Sequence, residues 1–455
     1  MATHRFPDGF LWGAATSAQQ IEGGRNAGGR GDSVWDRYAT QEGAIEDGSD
    51  PSRACDHYHR RREDVMLMER LGLGAYRFST SWSRVMPDGR SPANEEGLDF
   101  YDHLVDALLE RGITPFLTLN HWDMPVALLE EGGWPSRDAV PAFVEFALAV
   151  TGRLGDRVRF WTTHNEPWCI ATLGYEEGCH APGWKDPHAA LRAAHHLLLS
   201  HGLATEAIRN DVRDARVGIV LNLVPAFPAS DTEEDREAAR RFDRFFNTWY
   251  LDPIFRGEYP EEGVRDRVRR GHLESERMPF VEDGDLELIK APLDLLGVNY
   301  YSRAVVKAGP DGDPVKATPV PDEELTEMGW EVYPEGLTEL LKRVARDYEP
   351  PEIYLTENGI ALPEPDHVEG TIEDDRRIEF ARDHLLAAHR AIEAGVPVKG
   401  YFHWSLMDNF EWGHGYTKRF GLVHVDFETL ERTTKKSAAW YRETIEANAV
   451  EDEQS

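Results

Sequence analysis

"IYLTENGI", residues 353–360, places a carboxylate where a buried strand should end. Ile353, Tyr354 and Leu355 form a short apolar run, and Asn358-Gly359 is a turn signal, so Glu357 falls at the strand tip. A single glutamate there is explained by a solvated turn. The question is whether the pattern recurs, and it does. Seven further β-rich runs read as strands: "FLWGAATS" (10–17), "AYRFST" (75–80), "ITPFLTLN" (113–120), "RFWTTHNEP" (159–167), "VGIVLNL" (217–223), "LDLLGVNYY" (293–301) and "VKGYFHWSL" (398–406). Between them, 95–112, 139–155, 187–209 and 374–395 carry apolar residues at three- and four-residue spacing and read as helices.

Strands alternating with helices imply a parallel sheet, and eight such units imply a closed (β/α)8 TIM barrel with long βα loops. We expect a single domain over 1–455, with the Pro/Gly/Asp-rich stretch 309–324 as a rim loop and an acidic, flexible tail over 447–455. In such barrels the active site gathers at the C-terminal strand ends. Those ends are chemically loaded. Arg77 lies in the second run, His121 and Trp122 follow the third, Asn165 and Glu166 end the fourth, and Asn222 lies in the fifth. Asn299 and Tyr301 follow the sixth, Glu357 ends the seventh and Trp404 lies in the eighth. Helix capping, turn formation and mouth filling explain each one separately, but not their gathering on one rim.

Bulk properties narrow the class. The chain has 455 residues, 41% of them hydrophobic, with 13 tryptophans, enough for a large core. No run reaches the ~20 apolar residues of a membrane span. The N-terminus lacks the regions of a signal peptide, and three cysteines are too few for a disulfide framework, so a cytoplasmic location is expected. Eighty-two acidic against 50 basic residues give a net charge of −32. That surface disfavours nucleic acid and anionic membrane as partners and does not require a monomer, so a homo-oligomer stays compatible with it. Adaptation to a salty cytoplasm is the reading we attach to this charge, because salt at ~1 M shortens the Debye length to ~3 Å and screens the repulsion.

Glu166 and Glu357, at tips around one pore, can face each other across a pocket. Glycosidic cleavage needs such a pair, one to protonate the leaving oxygen and one to attack or activate water. Sugar hydroxyls need polar partners such as Gln20, His121, Asn165 and Glu411, and the C–H face of a pyranose packs on rings such as Trp404 and Trp412.

At these residues the chain resembles the family 1 glycoside hydrolases, the β-glucosidase family, nearly end to end. "FLWGAATSAQQIEGG", "AYRFSTSWSRVMP", "TLNHWDMP", "WTTHNEPW", "GVNYY", "YLTENG" and "YFHWSLMDNFEWGHGYTKRFGLVHVD" look like that family's blocks, in its order and spacing. The resemblance implies a retaining mechanism with Glu357 as nucleophile, Glu166 as acid/base, and Arg77, Asn165, Asn299 and Tyr301 in support. It also implies a glycone site of Gln20, His121, Trp122, Trp404, Glu411, Trp412 and Phe420, and an aglycone side of Trp168, His180, Asn222 and Trp330. Terminal β-D-glucosides and cello-oligosaccharides are the expected substrates, with β-galactosides and β-fucosides alongside, and no cofactor or metal. The anionic Glu411 argues against 6-phosphoglycosides. A β-galactosidase or transglycosylating β-glycosidase of the same family is the alternative, and a non-catalytic sugar-binding barrel the distant one.

Other signals are set aside. Cys55, His57 and His59 invite a metal, but only Cys55 and His59 would share a helical face, and no second ligand pair follows. His195, His196 and His201 read as packing or surface residues. "GGRNAGGRG" (23–31) lacks the Lys-Ser/Thr pair of a phosphate loop and reads as a flexible loop.

Overall fold

The computed structural model describes residues 2–452 except 91 and 369. Its centre is a closed parallel barrel of eight strands, each falling within one of the eight runs read from the sequence or within a residue of it. They are β1 (Leu11–Ala15), β2 (Ala75–Ser79), β3 (Thr114–Asn120), β4 (Phe160–Asn165), β5 (Arg216–Asn222), β6 (Leu295–Asn299), β7 (Ile353–Asn358) and β8 (Val398–Trp404). Each strand pairs with the next in the chain, and β8 closes onto β1.

Among the described residues, an outer ring of eight helices alternates with the barrel strands along the chain. Four match the sequence reading: α2 (Glu95–Leu109), α3 (Ala139–Leu154), α4 (Pro187–Asp211) and α7 (Asp375–Glu393). Four more complete the ring: α1 (His57–Arg70), α5 (Trp249–Arg256), α6 (Pro334–Tyr348) and α8 (Lys436–Ala447). Helix α2 buries Leu98, Tyr101, Leu104, Val105 and Leu108, the three- and four-residue stripe that makes it legible. Helix α4 starts where the Asp186 carboxylate accepts from the free amides of His188 and Ala189. Along it His195, His196 and His201 are all buried, so these histidines are packing residues and not surface ones.

Alternation along the strands divides the barrel into an outer core against the helices and an inner one. The inner core is an aromatic floor. Phe116 packs on Phe160, Phe402 and Tyr354 with ring centres 5.2, 5.0 and 5.4 Å apart. Above it the inward residues turn polar, beginning with Thr118 and Thr162 at 2.8 Å. A dry floor under a polar mouth is what confines chemistry to the strand tips.

Two expectations are corrected. The stretch 309–324 is more than a loop: Pro314–Ala317 pairs antiparallel with Ala304–Ala308, which in turn pairs with Ala226–Pro228 in a small outer sheet. The tail expected to be flexible is strand over Ala449–Asp452, because its backbone pairs with the N-terminal strand Ala2–Arg5, while 453–455 lie outside the described residues. The irregular loop 23–31 is pinned by Arg25 to Asp32 and by Arg30 to Asp36, each at 2.7 Å. Among the described residues, no helix is long and apolar enough to cross a membrane.

Candidate active site

The ladders of β4 and β7 each lose register just before the tip glutamate. On β4, Thr162 pairs with Gly218 but Asn165 pairs with Val220, so three steps on one strand oppose two on the other. On β7, Leu355 pairs with Val298 and Glu357 with Asn299, which leaves Thr356 as an extra residue. An extra residue shifts the two-residue alternation and re-aims the side chains beyond it. His164 consequently stacks outward on Phe143, ring centres 4.3 Å apart, while Asn165 and Glu166 both face the mouth. Glu166, Trp122 and Trp412 also hold positive φ angles of 48°, 77° and 48°, a conformation that costs non-glycine residues energy and clusters at functional sites.

Both carboxyls are buried, and their partners differ. Glu357 receives Arg77 Nη1 on Oε1 at 2.6 Å and the Tyr301 hydroxyl on Oε2 at 2.7 Å. Glu166 receives the Asn299 amide on Oε1 at 2.6 Å and the Cys169 thiol on Oε2 at 3.1 Å. Burial and the Glu357 charge push Glu166 up to about 8, with Asn299, Cys169 and Arg77 opposing. Burial pushes Glu357 up as well, but there the guanidinium and the phenol favour the charged form. The surroundings of Glu357 therefore favour its ionised form more than those of Glu166 do.

Asn165 links the two halves. Its Oδ1 accepts from Arg77 Nη2 at 2.6 Å and from Asn299 Nδ2 at 3.0 Å, which fixes its amide orientation. Its Nδ2 then donates to His121 Nε2 at 3.1 Å. Burial and Arg77 hold His121 well below its ordinary range, so the ring is neutral with its proton on Nδ1. That buried Nδ1 has no partner among the described residues and is free for a ligand.

The remaining expected residues close the pocket. His121 lies parallel to Trp404 and to Trp412 at 5.9 Å each, and Trp122 lies 4.5 Å from Trp412. Gln20 donates to Glu411 Oε2 at 3.4 Å and to the Phe410 carbonyl at 3.0 Å. Burial and the two other carboxyls push Glu411 up to about 8, so the anion expected of it from sequence is disfavoured here. Phe420 and Trp330 flank Tyr301, with ring centres 6.2 and 5.2 Å away. Asn222 donates to Cys169 Sγ at 3.5 Å, beside Glu166. Trp168 instead packs on Phe246 at 4.1 Å, and His180 sits between Trp35 and Trp122 at 5.2 and 5.5 Å.

Three residues here were not singled out by sequence. Asn409, which accepts from Gln20 at 3.1 Å, and Thr356, which donates to Asn299 Oδ1 at 2.7 Å, lie inside the quoted motifs. Cys169, three residues beyond Glu166, meets it across the first turn of the following helix. The Cys55, His57 and His59 set is dispersed among separate partners. Cys55 precedes α1 and donates to the Asp408 carbonyl, His57 pairs with Asp64 and His59 with Asp56.

Known proteins resemble this chain over nearly its full length. The family model "Glycosyl hydrolase family 1" matches residues 2–450. Beta-glucosidase A of Acetivibrio thermocellus is 46% identical over 451 residues, 98% of this chain and 100% of that protein. A bifunctional beta-D-glucosidase/beta-D-fucosidase of Bifidobacterium breve is 43% identical, covering 97% and 98%. The structure of the Thermotoga maritima beta-glucosidase in complex with glucoimidazole superposes with a TM-score of 0.93 at 44% identity, covering 98% and 99%. Matching over its whole barrel, this chain belongs to glycosyl hydrolase family 1.

Proposed function

We propose that the protein is a retaining β-glucosidase in which Glu357 is the nucleophile and Glu166 the acid/base. The observation that carries the assignment is the contrast in their partners: an ion pair and a phenol on Glu357, neutral donors and a raised pKa on Glu166. Glu357 attacks the anomeric carbon while Glu166 gives its proton to the glycosidic oxygen, and the bond to the aglycone breaks. Esterified Glu357 carries no charge, which lowers the pKa of Glu166 and makes it a base for water. Water then attacks the anomeric carbon, Glu166 regains a proton and the ester breaks. Asn165, bound by Arg77 and Asn299, is placed for the 2-hydroxyl, where a contact strengthens as the transition state develops.

Gln20, His121 and Glu411 bind the glycone hydroxyls, and Trp122, Trp404, Trp412 and Phe420 wall the pocket. Asn222, Trp330, His180 and Trp168 line or support the aglycone side. The names of the similar proteins support glucosides as substrates, and that of the Bifidobacterium breve enzyme supports fucosides beside them. Three unpaired cysteines support a reducing, cytoplasmic setting, and the net charge of −32 supports work in high salt.

The test is hydrolysis of p-nitrophenyl β-D-glucoside, galactoside, fucoside and 6-phosphoglucoside in low and in molar salt. Turnover is expected on the three unphosphorylated substrates. Glu357→Ala should abolish it, with azide returning an α-glycosyl azide, whereas Glu166→Ala with azide should give the β-anomer. Silence of folded protein on every substrate would overturn the reading.

A further inference from the structure

We propose that Thr356 is a positioning residue for the acid/base: its hydroxyl holds the Asn299 amide in the orientation that donates to Glu166, an inference that rests on the role proposed above for Glu166. Thr356 is the extra residue in the β7 ladder, between Leu355, paired with Val298, and Glu357, paired with Asn299. The irregularity lets two successive side chains, Thr356 and Glu357, both reach site residues, which strict alternation forbids. Space for the threonine comes from the neighbouring strand. A Cβ on Gly297 would stand 2.9 Å from Thr356 Cγ2 and 3.0 Å from its Oγ1.

The donor count around Asn299 closes on this hydroxyl. Asn165 Oδ1 already accepts from Arg77, so the atom of Asn299 that faces it is Nδ2. The two hydrogens of Nδ2 go to Asn165 Oδ1 and Glu166 Oε1, and Oδ1 of Asn299 takes the Thr356 proton at 2.7 Å. Thr356 also offers its carbonyl to Arg77 Nη1 at 3.3 Å, the same nitrogen that pairs with Glu357. One residue therefore holds the cation of the nucleophile through its backbone and the amide of the acid/base through its side chain. Deprived of the hydroxyl, Asn299 Oδ1 is a buried acceptor without a donor, and the amide loses the contact that keeps Nδ2 on Glu166.

The other charged and titratable groups facing Glu166 are Glu357 from β7, Arg77 from β2 and Cys169 from the helix after β4, with Tyr301 and Glu411 at greater distance. Substituting Thr356 alters none of them chemically. A change in Glu166 behaviour would therefore report on Asn299.

The experiment compares Thr356→Val, which keeps the shape, with Thr356→Ser, which keeps the donor. It measures kcat/KM from pH 5 to 9 on cellobiose, whose leaving group needs protonation, and on 2,4-dinitrophenyl β-D-glucoside, whose leaving group does not. Thr356→Val should lose about tenfold on cellobiose and less than about twofold on the dinitrophenyl substrate, with the alkaline limb moved to higher pH. Thr356→Ser should stay within about twofold on both. Equal losses on the two substrates, or no loss in a folded variant, would overturn the proposal. Should Thr356→Val fail to fold, Thr356→Ala removes the same donor and carries the same expectation. Glu166→Ala is the control. A leaving-group split there without one in Thr356→Val refutes the threonine alone, and no split in Glu166→Ala refutes the acid/base reading beneath it.

Discussion

The tips of β4 and β7 present the same residue type, at the same rim, each beyond a slip in register, yet the two glutamates meet different donors. At β7 the carboxylate meets a guanidinium and a phenol, and at β4 it meets an amide and a thiol. A formal cation within hydrogen-bond reach stabilises the ionised form strongly, whereas neutral donors offset burial only in part. The contrast thus rests on the donors assembled around each carboxyl, and exchanging or weakening those donors should erode it.

Among changes to these donors, the largest expected effect comes from Arg77→Met, which takes the cation from Glu357. We expect kcat/KM to fall by about 10² to 10³ at neutral pH. The acid limb should move to higher pH, since the remaining burial then raises Glu357 unopposed by charge. Steady-state profiles on p-nitrophenyl β-D-glucoside check both, with circular dichroism to establish folding. A profile displaced in neither height nor pH would break the comparison.

Glu357→Gln tests the reverse direction. The neighbouring carboxylate is the second cause that raises Glu166, after burial, so removing its charge should lower Glu166 from about 8 while burial keeps it above an ordinary glutamate. Titration of a ¹³C-labelled Glu166 carboxyl by NMR reads this directly. An unmoved midpoint would mean that burial alone raises Glu166.

Cys169→Ala should have the smallest effect. The thiol donates to Glu166 Oε2 and so favours its charged form, and its loss should raise Glu166. The alkaline limb of kcat/KM is expected to move up by about half a pH unit, the equivalent of one weak hydrogen bond. A downward shift would show that the thiol serves the protonated form.

All eight barrel strands are legible because parallel strands buried on both faces are short, nearly continuous apolar runs. Helix α1 is less so: "HYHRRRED" opens it with eight residues in which hydrophobic periodicity is absent and the buried side chains are the polar His57 and Asp64, and its buried apolar residues come late, at Val65, Leu67 and Met68. The strand at 449–452 escapes a local reading because its partner is the N-terminal strand, at the far end of the chain. Trp168 follows a motif that is legible locally, but its packing is not: helices inserted between β5 and β6 bring Phe245 and Phe246 against it and leave it partly exposed.

By itself the sequence determined the order of the strands, the two tip glutamates and the set of polar and aromatic types that a sugar site requires, since periodicity and motif are local properties of the chain. Only the tertiary structure decided which donor meets which carboxyl. Arg77 and Glu357 stand 280 positions apart, and Asn299 and Glu166 133 apart. Their meeting depends on barrel closure and on one extra residue in each of two ladders. A slip of one residue reverses the face of every side chain beyond it, so it is settled by the packing of neighbouring strands, Gly297 beneath Thr356 among them, and not by the residues that slip.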